Sequence, residues 1–164
     1  MILYGASGHA KVIIDILNVN GVTIDYIVDD NEALTSLLDY EVRRDCGHYD
    51  TAIVSIGDGK IRKAIVERLK VNNWATAIHP NAIISPHSTI GEGSVVMAGA
   101  IINSCASVGK HCIVNTGATV DHDVQVGDFV HIAPGAHISG GVTIGEGSWI
   151  GVGASVKQGI HIGK

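Results

Sequence analysis

The run Ile78, Ile84, Ile90, Val96, Ile102, Val108, Val114, Val120, Val126, Ile132, Ile138, Ile144, Ile150, Val156, Ile162 places an aliphatic β-branched residue at every sixth position without a break. Four places after these stand small or aliphatic residues such as Ser94, Ala100, Ala106, Cys112 and Ala118. Glycine precedes that position at Gly93, Gly99, Gly117, Gly135, Gly141, Gly147, Gly153 and Gly159. Each six-residue unit therefore offers a short strand, a corner suited to a left-handed backbone, and one large inward side chain. Three such units close a triangular coil, and coils stack at about 4.8 Å, which is a parallel β-helix. Residues 78–164 supply almost five coils, and the last unit is cut at Lys164 with no charged or helical cap, which predicts a further C-terminal piece.

Composition agrees with this architecture. The chain has 164 residues, 46% of them apolar and 16% charged, enough to bury a core; aromatics are only 4%, so Ile, Val and Ala must fill it. The 21 glycines against 3 prolines point to repeated tight bends. A formal charge of -5, with no basic cluster longer than Arg43-Arg44, gives no footprint for nucleic acid. No apolar run approaches the roughly 18 residues of a membrane span, and the N-terminus lacks a charged region followed by an apolar one, so the expected location is the cytoplasm. Cys46, Cys105 and Cys112 form an odd set without Cys-x-x-Cys spacing and are expected to be reduced and structural.

Residues 1–77 have a different rhythm. Ile2-Leu3-Tyr4 predicts a strand, Gly5-Ala6-Ser7-Gly8-His9 a glycine turn, and Ala10 to Asn18 a helix burying Val12, Ile13, Ile16 and Leu17. Ile24 to Val28 predicts a second strand ending at Asp29-Asp30, Thr51 to Ile56 a third ending at Gly57, and Lys60 to Asn72 a helix through Ile61, Ile65 and Leu69. This is a Rossmann-like α/β unit of βαβ type with three or four parallel strands. Its turn has the layout of a nucleotide site, with backbone amides at a helix start to meet phosphate or sugar hydroxyls. Ala10 stands where a dinucleotide fingerprint has its third glycine, and the sheet is half the usual size, so a single nucleotide or a nucleotide-sugar is favoured over a merely structural turn and over NAD.

Between Asn115 and Ala136 the repeat carries polar groups that stacking does not require. His122 lies two places after an inward Val, projects outward near a corner, and is flanked by Asp121 and Asp123. A carboxylate beside an imidazole raises its basicity and fixes its tautomer, as a general base requires. Val95, Ile113, His131 and Trp149, stacked at 18-residue spacing, form an apolar outer face expected to be a subunit contact. His122 and His131 are expected at opposite corners of one prism side, about 16 Å apart, so they would share a site only across subunits. A zinc site of the γ carbonic anhydrase kind uses His-x4-His, and no two histidines here are five apart, so no metal is expected.

The Gly5-to-His9 turn, Asp29-Asp30, Ser55-Ile56-Gly57, the unbroken hexapeptides and the Val120-to-Ala136 motif, in this order, resemble the left-handed β-helix sugar acetyltransferases of bacteria. That family includes sialic acid O-acetyltransferases and the N-acetyltransferases of bacillosamine synthesis that act on UDP-4-amino sugars. The resemblance covers essentially the whole chain and implies a homotrimer in which residues 1–77 bind a nucleotide-sugar and the β-helix of 78–164 binds acetyl-CoA between subunits. It implies nucleotide-sugar contacts at Ser7, Gly8, His9, Asp29, Asp30 and Gly57, and an acetyl-CoA site at His131, Gly140 and Val152, with the Gly140 amide as an oxyanion donor. His122 would be the general base, held by Asp123 and Asn115, and Asp123 departs from the Glu of the bacillosamine enzymes. The expected reaction is direct acetyl transfer to a sugar amine; the alternatives are O-acetylation of sialic acid or a related hydroxyl, and a non-catalytic nucleotide-sugar-binding scaffold.

Overall fold

The structure, a computed structural model, describes residues 1–163; Lys164, and with it the expectation about the chain's end, lies outside them. The N-terminal part runs β1 (Ile2–Tyr4), α1 (Gly8–Val19), β2 (Tyr26–Val28), β3 (Ser36–Leu37), β4 (Tyr40–Arg43), β5 (His48–Val54), α2 (Gly59–Arg68) and β6 (Lys70–Trp74). These strands form one six-stranded sheet in the order β3-β4-β2-β1-β5-β6, parallel except for the β3–β4 hairpin. The sheet is larger than the sequence predicts because the hairpin extends one edge and β6 the other. Residues 70–72, expected as helix, are strand: Leu69 ends α2 in extended backbone, and β6 then pairs with β5.

Both helices are rotated from the expected faces. α1 buries Ala10, Ile13, Ile14, Ile16 and Leu17, and leaves Val12 outside. α2 buries Ile65, with Leu69 just beyond it, but turns Arg62 inward in place of the exposed Ile61.

From Ala77 the chain winds as a left-handed parallel β-helix with three five-stranded walls. The first wall stacks Ala77–Ile78, Val95–Val96, Ile113–Val114, His131–Ile132 and Trp149–Ile150. The second stacks Ile83–Ile84, Ile101–Ile102, Thr119–Val120, His137–Ile138 and Ser155–Val156; the third runs from Thr89–Ile90 to His161–Ile162. Every pairing is between residues 18 apart, so each inward Ile or Val rests on its counterpart in the coil below. The resulting core is aliphatic from Val96 to Ile150, with Ala100, Ala106, Cys112, Ala118 and Ala136 at the corners and Val124, Val130 and Val142 in the same register.

All eight corner glycines of the sequence pattern have φ between 64° and 71°. Four corners hold the same left-handed backbone without glycine: Cys105, His111, Asp123 and Phe129, with φ between 52° and 62°. Each costs about 1 kcal/mol or more in backbone strain, so a side chain there must return something. His111 and Phe129 return packing: their rings stack at 5.2 Å, and Trp74 meets His111 edge-on at 4.9 Å.

That packing belongs to a seam between the two parts. The apolar column on the first wall is not a free face awaiting a subunit: Val95, Ile113 and Met97 are buried in one cluster with Ala10, Ile13 and Ile14 of α1. The chain's own N-terminal part covers it, because tethering makes that partner the nearest apolar surface. Trp149 alone of the column stays exposed, at 57%. At the seam Arg62 is 1% exposed and donates to backbone carbonyls. Its Nε donates to His111 O (2.8 Å), Nη1 to Ile56 O and Gly57 O (2.8 and 2.9 Å), and Nη2 to Phe129 O and Val130 O (2.7 and 3.5 Å). Burial lowers its pKa to about 10, which keeps it a cation at neutral pH, solvated by peptide carbonyls instead of water. Lys63 adds an ion pair to Glu146 at the rim.

Candidate active site

His122 and Asp123 occupy the corner between the second and third walls. Asp121 Oδ1 accepts from the His122 backbone N–H (2.8 Å) and from Asn103 Nδ2 one coil below (2.9 Å), which fixes the start of the corner. The left-handed backbone at Asp123 turns its carboxylate back onto the preceding imidazole, and His122 Nδ1 lies 2.8 Å from Asp123 Oδ2. A carboxylate only accepts here, so Nδ1 carries a proton, and in the neutral ring Nε2 presents the lone pair. The hydrogen bond to Asp123, and then the charge of Asp121, raise the His122 pKa above the ordinary imidazole value of 6.5.

One coil above, Gly140 takes the position that His122 holds below. A Cβ on Gly140 would lie 2.6 Å from His122 Cε1 and 2.7 Å from Nε2, so the ring lies across that residue only because it has no side chain. His122, Asp123, Gly140, Gly141, Gln158 and Gly159 line an open groove of about 340 Å³. The groove holds a base of raised pKa whose free nitrogen faces a bare backbone. This arrangement suits removal of a proton from a nucleophile docked against the corner.

His131 is elsewhere. It lies in the first wall, opposite the His122 corner, and not at the far end of a shared side as the sequence reading had it. It is 6% exposed; Nδ1 donates to Gly57 O (3.1 Å), and Nε2 accepts from Asn115 Nδ2 (3.0 Å). Asn115 therefore orients His131 and not His122. Burial lowers the His131 pKa, so the ring is neutral. Its face meets Trp149 at 4.6 Å on one side and His9 at 6.3 Å on the other. Val152, 76% exposed, sits on the corner between the first and second walls. The trio His131, Gly140 and Val152 is thus spread over a wall and two different corners of one chain.

The N-terminal set is more compact. Ser7 caps α1 without using its side chain, leaving the hydroxyl and the Gly8 and His9 amides open, while the Ala10 amide donates to Ser7 O (3.1 Å). Gly5, at φ 110°, lets the turn pass Ile56, whose Cδ1 would be 2.6 Å from a Cβ. Asp29 shapes this turn, Oδ2 accepting from Ala6 N–H (2.7 Å) and Oδ1 from Asn31 N–H (2.8 Å). Asp30 accepts from Tyr4 Oη (2.7 Å) and pairs with Arg68, and that first bond holds its carboxyl below the ordinary range. His9 Nε2 is buried with no hydrogen-bond partner among the described residues, and burial lowers the His9 pKa to about 4. Gly57 O joins this set to the solenoid through Arg62 and His131. Arg62 and Gln158 were not singled out in the sequence.

A prism of hexapeptides with a carboxylate-held imidazole on one corner, joined to a glycine-turn α/β unit, defines an acyltransferase-type architecture. Residues 1–69 match the family model described as the PglD N-terminal domain. The perosamine N-acetyltransferase of Caulobacter crescentus, solved as a single-residue mutant with CoA and GDP-perosamine, is similar at a TM-score of 0.91 and 36% identity, covering 99% of this chain and 81% of that one. The acetyltransferase domain of PglB from Neisseria gonorrhoeae is similar at 0.88 and 38%, covering 99% and 84%. The curated UDP-N-acetylbacillosamine N-acetyltransferase of Bacillus subtilis is 38% identical over 58% of this chain, and the match spans half of that protein's length. This chain belongs to the bacterial sugar N-acetyltransferase family.

Proposed function

We propose that the protein transfers the acetyl group of acetyl-CoA to the amine of a nucleotide-activated 4-amino sugar, in the cytoplasm and as a homotrimer. The observation that carries this reading is the His122–Asp123 pair, with Nε2 facing the groove over Gly140. In the ternary complex the sugar nitrogen attacks the thioester carbonyl carbon, and its proton passes to His122 Nε2. The C–S bond breaks, and the thiolate of CoA takes that proton back from the imidazolium; no acyl-enzyme forms. The Gly140 amide would face the developing oxyanion.

Residues 1–77 would hold the nucleotide-sugar through Ser7, Gly8, His9, Asp29, Asp30 and Gly57. The bound GDP-perosamine of the Caulobacter protein supports a nucleotide-sugar as the acceptor class. The dispersal of His131, Gly140 and Val152 over different edges supports a site completed by a second subunit, as a coenzyme lying between two prisms would require. The CoA complex of the Caulobacter protein and the acetyl coenzyme A complex of the Neisseria domain support the co-substrate.

Thiol release from acetyl-CoA should appear with UDP- or GDP-linked 4-amino sugars and not with sialic acid. Release with sialic acid alone would move the reading to O-acetylation, and none with any acceptor would leave a binding scaffold.

The pH profile tests the pair itself. The base works only when neutral, and its pKa is raised, so kcat/KM should climb with a midpoint above 6.5. Asp123→Asn removes the main cause of the shift, so the midpoint should fall toward 6.5 while the plateau drops. An unmoved midpoint would assign the titration to another group.

A further inference from the structure

The groove beside His122 contains one more polar side chain. On this corner the stacked residues are Ser104, His122, Gly140 and Gln158, each one coil above the last. Two coil steps separate the backbones of His122 and Gln158, about 10 Å. Between them Gly140 contributes no side chain, so the imidazole from below and the carboxamide from above face a common space. Among the six residues that line it, His122 and Gln158 are the only ones with a side-chain N–H, and Asp123 can only accept. The Gln158 carboxamide makes no hydrogen bond to any described residue, so both of its N–H groups are available.

Between the imidazole lying on Gly140 and the carboxamide one coil above it, a nitrogen about 2.8 Å from His122 Nε2 and an oxygen about 2.9 Å from Gln158 Nε2 are the two contacts that one tetrahedral acetyl carbon would need. A single backbone donor leaves most of an oxyanion's lone pairs unmet, whereas the oxyanion hole of the serine proteases supplies two donors.

We infer that Gln158 is a catalytic residue of the acyl transfer: its Nε2–H donates to the thioester oxygen as that oxygen becomes an oxyanion, alongside the amide of Gly140. This rests on the acyltransferase reading above and adds a residue to it. As the sugar nitrogen bonds to the acetyl carbon, the C=O π pair moves onto the oxygen and is held there by the two donors. When the C–S bond breaks, the pair returns to restore the carbonyl of the new amide, and both donors relax. Gln158 exchanges no proton, so it leaves the titration of His122 untouched.

The test uses the full chain with acetyl-CoA and the acceptor that the wild-type protein turns over, and compares His122→Ala, Gln158→Ala and Gln158→Glu. Gln158→Ala should lower kcat about 100-fold with little change in the KM for acetyl-CoA, the usual range for loss of one oxyanion donor. Gln158→Glu, of the same shape but with a carboxylate in place of the donor, should be at least as slow. The acid limb of the pH profile of Gln158→Ala should stay where the wild type has it, and the melting temperature should not move. An unchanged kcat, or a loss confined to the KM for acetyl-CoA as a clamp on the pantetheine arm would give, overturns the assignment while an inactive His122→Ala keeps the reaction itself. A wild-type protein with no transfer to any acceptor overturns both.

Discussion

Replacing His122 by alanine is expected to lower kcat by about a thousandfold, the middle of the range for a lost general base, while acetyl-CoA binds as before. The imidazole is exposed on a corner, bonded to Asp123 and lying over Gly140, so its removal leaves the coil intact. The split matters: a mutation that merely loosened the solenoid would weaken coenzyme binding and lower the melting temperature together. Measured by thiol release and by equilibrium binding of CoA, a variant that retains turnover would remove His122 from the mechanism.

Arg62→Met is expected to be the most damaging substitution for stability. It removes five hydrogen bonds and strands the carbonyls of Ile56, His111 and Phe129 at a dry seam, while Gly57 O keeps His131 Nδ1 and Val130 O keeps the Ile113 amide. Unsatisfied buried acceptors cost about 1–3 kcal/mol each before relaxation; after it, a loss of about 4 kcal/mol and about 10 °C in melting temperature is expected. Arg62→Lys, which can reach only some of these oxygens, should fall between. Thermal unfolding gives the magnitude, and amide exchange gives the place: protection should drop first in α2 and in the corners at His111 and Phe129. An unchanged melting temperature would mean that Arg62 adds nothing to the apolar cluster around Ile13 and Val95 and to the other contacts of the seam.

The solenoid was legible because its signal repeats. Fifteen aliphatic positions and eight glycines name the same unit again and again, and each was found inward or left-handed where the pattern put it. His122 was legible for a chemical reason, since an imidazole between two aspartates at a corner has no structural task. The N-terminal edges were not. Lys70 to Trp74 contains no apolar alternation strong enough to announce a strand, and it becomes one only because β5 offers an open edge.

Arg62 was hidden for a related reason. Either Ile61 or Arg62 can join Ile65 and Leu69 on one helix face, and hydrophobicity favours the wrong one. The carbonyls that reverse the choice come from Phe129 and Val130, 67 and 68 residues away. The column from Val95 to Trp149 reads as a subunit contact, but its lower part is covered by α1 of the same chain, and sequence cannot say which neighbour reaches an apolar face first. Gln158 gave no signal beyond being polar, because its meaning depends on the empty position at Gly140 one coil below.

The four non-glycine corners give the fold a further property. Since the corners from Gly93 onward repeat one backbone shape at a fixed height, the prism acts as a rack of identical sockets into which a functional group can be plugged at small, local expense. Two sockets carry the rings that seat the α/β part, one carries the carboxylate beside the base, and those left as glycine above it keep the cleft clear. New chemistry can thus be tried by changing a letter or two in one hexapeptide, while the aliphatic column inside never has to be renegotiated.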